Sequence, residues 1–224
     1  MGLPISILAR GPADELAVAR VYAELHEVDA RFSTYQVGSE VSRINRGELS
    51  LADAHEDVRE VARRCEDAKA MTGGLFDATT PSGSWDPSGL VKGWAAERAA
   101  RHLTGETDWC LNAGGDVVVL TPTGEPFTVG IQDPRDDGKV VHALTTTTTA
   151  VATSGTAARG AHLYDPRTGA APTGSWLSVT VVGPSLETAD VLATASFVAG
   201  RPVLQPGYRA LSVDASGQLS GWLT

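Results

Sequence analysis

The stretch TADVLATASFVAG, residues 188–200, combines two oxygen-bearing side chains with an otherwise apolar helical pattern. Asp190 and Thr194 lie four residues apart, so both side chains project from one face of a helix. A carboxylate and a hydroxyl at this spacing offer hard oxygen ligands of the kind that Mg²⁺ or Ca²⁺ prefers. A buried carboxylate also requires a partner, because burying a lone charge is costly. The pattern therefore predicts a helix that begins at Thr188, ends at Gly200 and anchors a metal site.

Polar segments elsewhere interrupt apolar stretches, and polar clusters carried on loops are often functional. The side chains that could act there are Asp77, Asp86, Lys92, Asn112, Asp116, Ser154, His162, Asp165 and Arg167. Together with the carboxylate–hydroxyl pair and several Gly-rich turns, they suggest chemistry on a phosphorylated small molecule. A divalent cation would neutralise a pyrophosphate and polarise its phosphorus, and Lys92 would add positive charge.

Lys92 follows a Pro/Gly/Ser-rich loop over residues 81–89 and precedes a predicted helix over residues 94–103. The N–H groups and the dipole at a helix N-terminus both favour an anion. The Lys92-Gly93 pair is therefore an expected phosphate contact, although the spacing is not that of a P-loop.

His162 is the one histidine in a polar turn, since the sequence places the other four on helices, before a helix or in a strand. An imidazole titrates near neutral pH, so His162 is the natural candidate for a general base acting on a hydroxyl or a water. A hydrogen-bonded structural role is the alternative.

Composition limits the classes of function. The chain has 224 residues, 42% of them hydrophobic, which is enough for one substantial domain. A net charge of −9 argues against non-specific binding to nucleic acid or anionic membranes. No signal peptide or membrane-spanning run is evident, so a cytoplasmic location without membrane insertion is expected. Cys65 and Cys110 lie among apolar residues and are predicted to be buried free thiols.

The elements that must position these side chains form an α+β pattern. Apolar periodicity predicts helices over residues 14–29 and 56–71 and a short helix that Ser39 could cap. Strands are predicted over residues 3–9, 109–112, 116–120, 127–132, 140–151 and 177–182, with a closing hairpin around residues 215–218. Residues 152–156 and 162–169 are predicted as polar turns.

Seven motifs in one order carry a resemblance to a known family: FSTY with SEVSRIN, GGLFDAT, DPSGLVKGWAAE, LNAGGDVVV, VATSG, HLYDPRTG and ADVLATA. With Met1-Gly2 and the strand that follows, they extend over nearly the whole chain. The sequence resembles the ApbE family, the FAD:protein FMN transferases. This resemblance implies a single ApbE-like, T-fold-related domain over residues 1–224. Mixed or antiparallel sheets would carry packed helices, and the active site would lie in a cleft between two lobes.

The resemblance also implies an activity. Members cleave FAD with the help of Mg²⁺, attach FMN through a phosphoester bond to a threonine of an acceptor flavoprotein, and release AMP. By the same resemblance, Asp190, Thr194 and the Gly89 carbonyl would hold the metal, and His162 would be the base for the acceptor threonine. Tyr35 would lie against the isoalloxazine ring. The remaining FAD contacts would be Met1, Leu75, Phe76, Asp77, Asp86 and, at the phosphates, Lys92.

Two other functions stay open at this point. An FAD pyrophosphatase would use the same site with water as the nucleophile, and a flavin-binding protein would lack turnover. A domain with ordinary polar turns is the plainest alternative. Asp190 and Thr194 are one residue too far apart for the family's acceptor motif, Asp-x-x-Thr followed by small residues. Modification of this chain by itself is therefore not expected.

Overall fold

The computed structural model describes residues 3–156, 163–172 and 174–221. The helices are α1 (Glu15–Phe32), α2 (Glu40–Asn45), α3 (Glu56–Met71), α4 (Ser88–Ala100) and α5 (Leu186–Ala199). The strands are β1 (Ile5–Arg10), β2 (Asp108–Ala113), β3 (Asp116–Leu120), β4 (Phe127–Asp133), β5 (Asp136–Thr146), β6 (Thr148–Gly155), β7 (Trp176–Gly183), β8 (Arg209–Asp214) and β9 (Leu219–Gly221).

A seven-stranded sheet forms the centre of the fold, with strand order β1-β2-β3-β6-β7-β8-β9. Every neighbouring pair in it is antiparallel. Strands β4 and β5 form a separate antiparallel hairpin. The predicted α+β class with antiparallel sheets is therefore confirmed.

Both faces of the central sheet are covered, which explains the continuous apolar run of β3. Val118 faces the helical layer and belongs to the same apolar cluster as residues of α1, α3, α4 and α5. Its neighbours Val117 and Val119 face the other way and pack with Phe127 and Val129 of the hairpin. Successive side chains of a strand point to opposite faces, so a strand covered on both sides needs apolar residues at every position.

The first helices follow the predicted pattern. The Asp14 carboxylate accepts hydrogen bonds from the amides of Leu16 and Ala17 and so caps α1. Ser39 caps α2 in the same way by accepting from the Ser42 amide. Helix α3 has the predicted bounds and is followed by Gly73 and Gly74, which both have positive φ.

Helix α4 begins at Ser88, six residues before the predicted start at Trp94. The Pro87 carbonyl accepts the first helical hydrogen bonds, and the Asp86 carboxylate accepts the Ser88 amide. Glycines such as Gly89 and Gly93 are typical of loops, but in the structure both lie within α4. Lys92 consequently lies inside the helix, and the expectation that it marks a helix N-terminus is wrong.

Helix α5 also begins earlier than predicted. Its N-cap is Ser185, which accepts the Thr188 amide, so Thr188 lies within the first turn rather than opening the helix. Gly200 ends the helix in the left-handed conformation, as expected.

Two predictions about strands were wrong. The stretch 140–151 is not one strand, because β5 ends at Thr146 and β6 begins at Thr148. Residues 152–155 are not a turn, because they pair with β7 as the end of β6. The polar side chains of residues 152–155 therefore do not mark a break in the sheet.

The two cysteines differ in burial. Cys65 is buried, and burial, followed by nearby acidic charges, raises the pKa of its thiol to about 12. Cys110 is only half-buried, which corrects the prediction that both thiols are buried. In the described part of the chain, none of the helices is long and apolar enough to cross a bilayer.

Gly93 allows α4 to approach α5 closely. A Cβ placed on Gly93 would lie 2.8 Å from the Leu186 carbonyl oxygen and 2.9 Å from the Glu187 Cα. These are backbone atoms, so a side chain could be accommodated only by separating the two helices.

We expect Gly93→Ala to lower the free energy of unfolding by about 1–3 kcal/mol, as overpacking does. In an open helix the same change would stabilise by about 0.5–1 kcal/mol, so the sign is informative. Urea unfolding measures it. Gly38→Ala, where a Cβ meets no atom within 4 Å, is the control and should have little effect. A Gly93→Ala variant at least as stable as the wild type would contradict the close approach.

Candidate active site

A cavity of about 260 Å³ lies where the loop before α4, helices α4 and α5 and the end of β6 meet. The predicted site residues that line it are Leu75, Phe76, Asp77, Asp86, Gly89, Lys92, Asp190 and Thr194. These residues come from two segments, 75–92 and 190–194, that are separated by most of the sheet-forming part of the chain. The fold therefore brings most of the predicted site together. The cavity also adjoins a second one of about 410 Å³ beneath the β4–β5 hairpin, with Gly114, Thr153 and Gly155 lining both.

Asp190 and Thr194 point into the cavity from the same face of α5. The Asp190 residue is 3% exposed, and the Thr194 hydroxyl lies 3.1 Å from the Ser154 hydroxyl. Sequence reasoning singled out Ser154 as a polar residue but gave it no place in the metal site. Its contact with Thr194 spans 40 positions and depends on β6 extending to Gly155, where a turn was predicted.

Lys92 lies between two carboxylates. Its Nζ is 2.7 Å from Oδ2 of Asp116 and 3.4 Å from Oδ1 of Asp190. The lysine thus joins the first residue of β3 to the second turn of α5. The Lys92 ammonium therefore pairs with two carboxylates. It does not lie at a helix N-terminus, where the sequence predicted it.

Asp116 is among the polar candidates in the sequence, where no specific role is predicted for it, and the structure places it beside Lys92. It is 1% exposed, and its Oδ1 accepts the Thr153 amide at 3.1 Å. The signal was present in the sequence, since an aspartate that follows Gly114-Gly115 and opens a valine run has no reason to be buried unless it is paired.

The Asp77 carboxylate forms the other acidic wall of the cavity. Its Oδ2 lies 2.7 Å from Nζ of Lys69, and its Oδ1 accepts the Thr79 amide. Burial by itself raises the pKa of Asp77, but the hydrogen bonds from Lys69 and Thr79 and the Lys69 charge outweigh it and hold that pKa below its usual range. Asp77 is therefore a fixed acceptor for donor groups of a ligand.

The segment after residue 162 supplies a further wall. Burial, together with the charges of Asp86 and Asp77, raises the pKa of the Tyr164 hydroxyl, so it remains a donor at neutral pH. Arg167 pairs with Asp165 of the same turn, with Nη2 2.7 Å from Oδ2. The arginine therefore stabilises its own turn.

One predicted site residue lies away from the cavity, and two others are not described. Tyr35 follows α1 and is 95% exposed, and it does not line the cavity. Met1 and His162 lie outside the described residues. Their predicted roles stay predictions.

A larger cavity of about 600 Å³ lies on the other side of α4. Its charged groups are largely paired with one another, for example Arg64 with Glu187 and Arg98 with Asp57. We therefore assign the candidate site to the cavity that contains the carboxylate–hydroxyl pair.

Comparison with known proteins shows the family and the fold of this chain. A sequence model of the ApbE family matches residues 1–83 and 81–205. The chain belongs to the ApbE family. A protein of Vibrio cholerae named FAD:protein FMN transferase is 32% identical over 128 residues, and one of Klebsiella pneumoniae with the same name is 31% identical. The matched region covers 51% of this chain but only 38% and 37% of those two relatives.

Solved structures show the same fold. The ApbE protein of Thermotoga maritima superposes with a TM-score of 0.86 at 22% identity, covering 98% of this chain and 94% of that one. The flavinyl transferase ApbE of Pseudomonas stutzeri, in its apo form, superposes with a TM-score of 0.77 at 22% identity, covering 97% and 94%. The ApbE-like fold expected from the motifs is confirmed.

The Lys69–Asp77 pair gives a pH-dependent prediction. Lys69→Met should raise the pKa of Asp77, because the burial that opposes ionisation remains while the neighbouring charge is lost. A carboxyl NMR titration measures this shift, and Asp165, whose pKa is lowered by Arg167, is the internal control. An unchanged Asp77 pKa would show that the Lys69 contact does not persist in solution.

The lowered pKa of Asp77 also determines how the Lys69–Asp77 pair changes the stability of the fold with pH. Because the folded-state pKa of Asp77 is lowered, its contribution is present above the unfolded-state value of about 3.9 and is lost as the pH falls through the folded-state pKa. Lys69→Met should therefore flatten the acid side of the stability profile.

Proposed function

We propose that this protein is a Mg²⁺-dependent FAD:protein FMN transferase. It would cleave FAD, attach FMN through a phosphoester bond to a threonine of an acceptor flavoprotein, and release AMP. The observation that carries the proposal is the cluster of Lys92, Asp116 and Asp190 beside the Ser154–Thr194 hydroxyl pair. Buried charges of this kind, gathered in a cavity, are typical of a functional site. Membership of the ApbE family and the names of the relatives supply the substrate.

The donor chemistry of the cavity fits a hard cation. The groups around Thr194 are a carboxylate and hydroxyls, all of them oxygen ligands. Within the described residues, no group of three His, Cys, Asp or Glu side chains could hold a metal by itself. This suits Mg²⁺, which usually takes one or two carboxylates and completes its shell with substrate phosphates and water. Asp190 and Thr194 would hold it by side chain, and Gly89 by its carbonyl.

A bound Mg²⁺ would supply charge neutralisation at the pyrophosphate. The protein's own residues have other tasks. Lys92, held by Asp116, would direct its ammonium group toward the phosphate oxygens. Asp77 and Asp86 would accept hydrogen bonds from FAD, and the buried Phe76 beside them would provide an apolar surface.

The reaction requires a base. The acceptor threonine Oγ would attack the phosphorus of the FMN half, a new P–O bond would form, and the P–O bond to AMP would break. The threonine proton would pass to His162, the base implied by the family resemblance. The cytoplasmic location expected from the sequence stays a prediction, as does the extent of the domain.

One experiment separates the candidate functions. The protein is incubated with FAD and Mg²⁺, with and without a flavoprotein that carries an Asp-x-x-Thr motif, and AMP release and acceptor mass are followed. The expected result is AMP release together with an acceptor mass increased by one covalently attached FMN. AMP release without modification would favour the pyrophosphatase, and FAD that binds without cleavage would contradict both enzymes.

Asp190→Ala tests the metal site. We expect FAD cleavage to fall at least about 100-fold, because even loss of a residue behind a metal ligand costs 10- to 100-fold. Circular dichroism should show an intact fold, since Lys92 keeps its partner Asp116. Asp137→Ala, an exposed carboxylate of the hairpin, is the matched control and should keep full activity. Normal Mg²⁺-dependent cleavage by Asp190→Ala would refute the assignment.

A further inference from the structure

Helix α4 presents one row of residues toward α5. Gly89, Gly93 and Glu97 are spaced by four positions and so lie on one face. Gly89 lines the cavity, Gly93 touches the backbone of Leu186 and Glu187, and Glu97 reaches the start of α5. The two helices therefore run in opposite directions along this contact.

Helix α5 presents a matching row. Leu186, Asp190 and Thr194 are also spaced by four. Leu186 lies at the Gly93 contact, whereas Asp190 and Thr194 line the cavity together with Gly89. The distance of the two predicted metal ligands from α4 thus depends on the position of α5 along its own axis.

Glu97 fixes the position of the first turn of α5 by hydrogen bonds. Its Oε2 accepts the Ser185 hydroxyl at 2.9 Å, the Leu186 amide at 3.0 Å and the Glu187 amide at 3.2 Å. The first amides of a helix have no partner within the helix, and a carboxylate there also meets the positive end of the helix dipole. The Ser185 hydroxyl accepts the Thr188 amide, and the Glu97 carboxylate from α4 accepts the Leu186 and Glu187 amides.

This anchor lies immediately before the metal ligands. In an α-helix the Asp190 amide bonds to the carbonyl four residues earlier, that of Leu186. Each residue advances a helix by about 1.5 Å and turns it by about 100°. A frayed or shifted first turn would therefore displace Asp190 by an amount comparable to a coordination distance.

Arg64 provides a second tie, but of a different kind. Its Nη1 contacts the side-chain oxygens of Glu187 at 3.2 and 3.0 Å. A bond to a flexible side chain restrains the backbone less than the direct amide contacts of Glu97 do.

We propose that Glu97 is a positioning residue: by capping α5 from α4, it sets where Asp190 and Thr194 lie relative to Gly89 and Lys92, and hence how tightly the divalent cation binds. The inference rests on the metal site of the proposed function. Glu97 does not line the candidate cavity, so its effect would be transmitted through α5.

The test measures Mn²⁺ binding to the protein without FAD, by electron paramagnetic resonance, for the wild type and three variants. Glu97→Ala should weaken binding by about 10- to 100-fold, the effect of removing a residue that orients a metal ligand. Glu97→Gln keeps an acceptor oxygen but no charge and should fall between. It also keeps the test valid should Glu97→Ala not fold.

Asp14→Ala is the matched control. It removes a carboxylate cap from α1, a helix that does not line the cavity, and should reduce the urea midpoint while leaving Mn²⁺ affinity within twofold of wild type. If the Glu97 variants lose stability but bind Mn²⁺ like the wild type, Glu97 is a structural cap only and the proposal is wrong. Equal weakening by Asp14→Ala would also overturn it, since any loosening would then suffice. Wild-type protein that does not bind Mn²⁺ would overturn the metal site of the proposed function together with this inference.

Discussion

The site depends on the close contact between α4 and α5 at Gly93. With no side chain at that position, the backbone of α4 lies directly against the start of α5. Lys92, the adjacent residue, then reaches Asp190 across the contact and Asp116 at the start of β3. Close helix packing, which is ordinarily a matter of stability, here determines which charged groups meet. The sheet contributes through Thr153 and Ser154, which hold Asp116 and Thr194 from the opposite side.

The electrostatics of the cluster are consistent with an anionic substrate that arrives with a cation. Among the described ion pairs of the cluster, one ammonium group is shared by two carboxylates. Burying such a group of charges is not an efficient way to stabilise a fold, since well-packed apolar residues usually do as well or better. A divalent cation beside Asp190 would reverse the local sign and favour phosphates. The aspartates on the other wall, Asp77 and Asp86, would then face the uncharged parts of the ligand.

Local signals in the sequence predicted much of this. The α3 stripe and its glycine end gave the correct bounds, and the spacing of Asp190 and Thr194 placed them correctly on one helix face. The motif order identified the family. What failed were features decided by distant parts of the chain. Gly89 and Gly93 imitate a loop and are helical because α5 requires a close approach. Residues 152–155 have the polar composition of a turn, but they form a strand because β7 pairs with them. Glu97 resembles an ordinary surface residue of a helix, and only the fold shows that it holds the next helix.

In the proposed function, α4 and α5 together build a site for a hard cation beside bound FAD. The most direct measurement is anomalous diffraction from a crystal of this protein grown with FAD and Mn²⁺. We expect a manganese peak within coordination distance of the Asp190 carboxylate and the Thr194 hydroxyl, adjacent to the FAD pyrophosphate. A peak at another place in the fold, or bound FAD whose phosphates lie away from Asp190 with no metal between them, would contradict it.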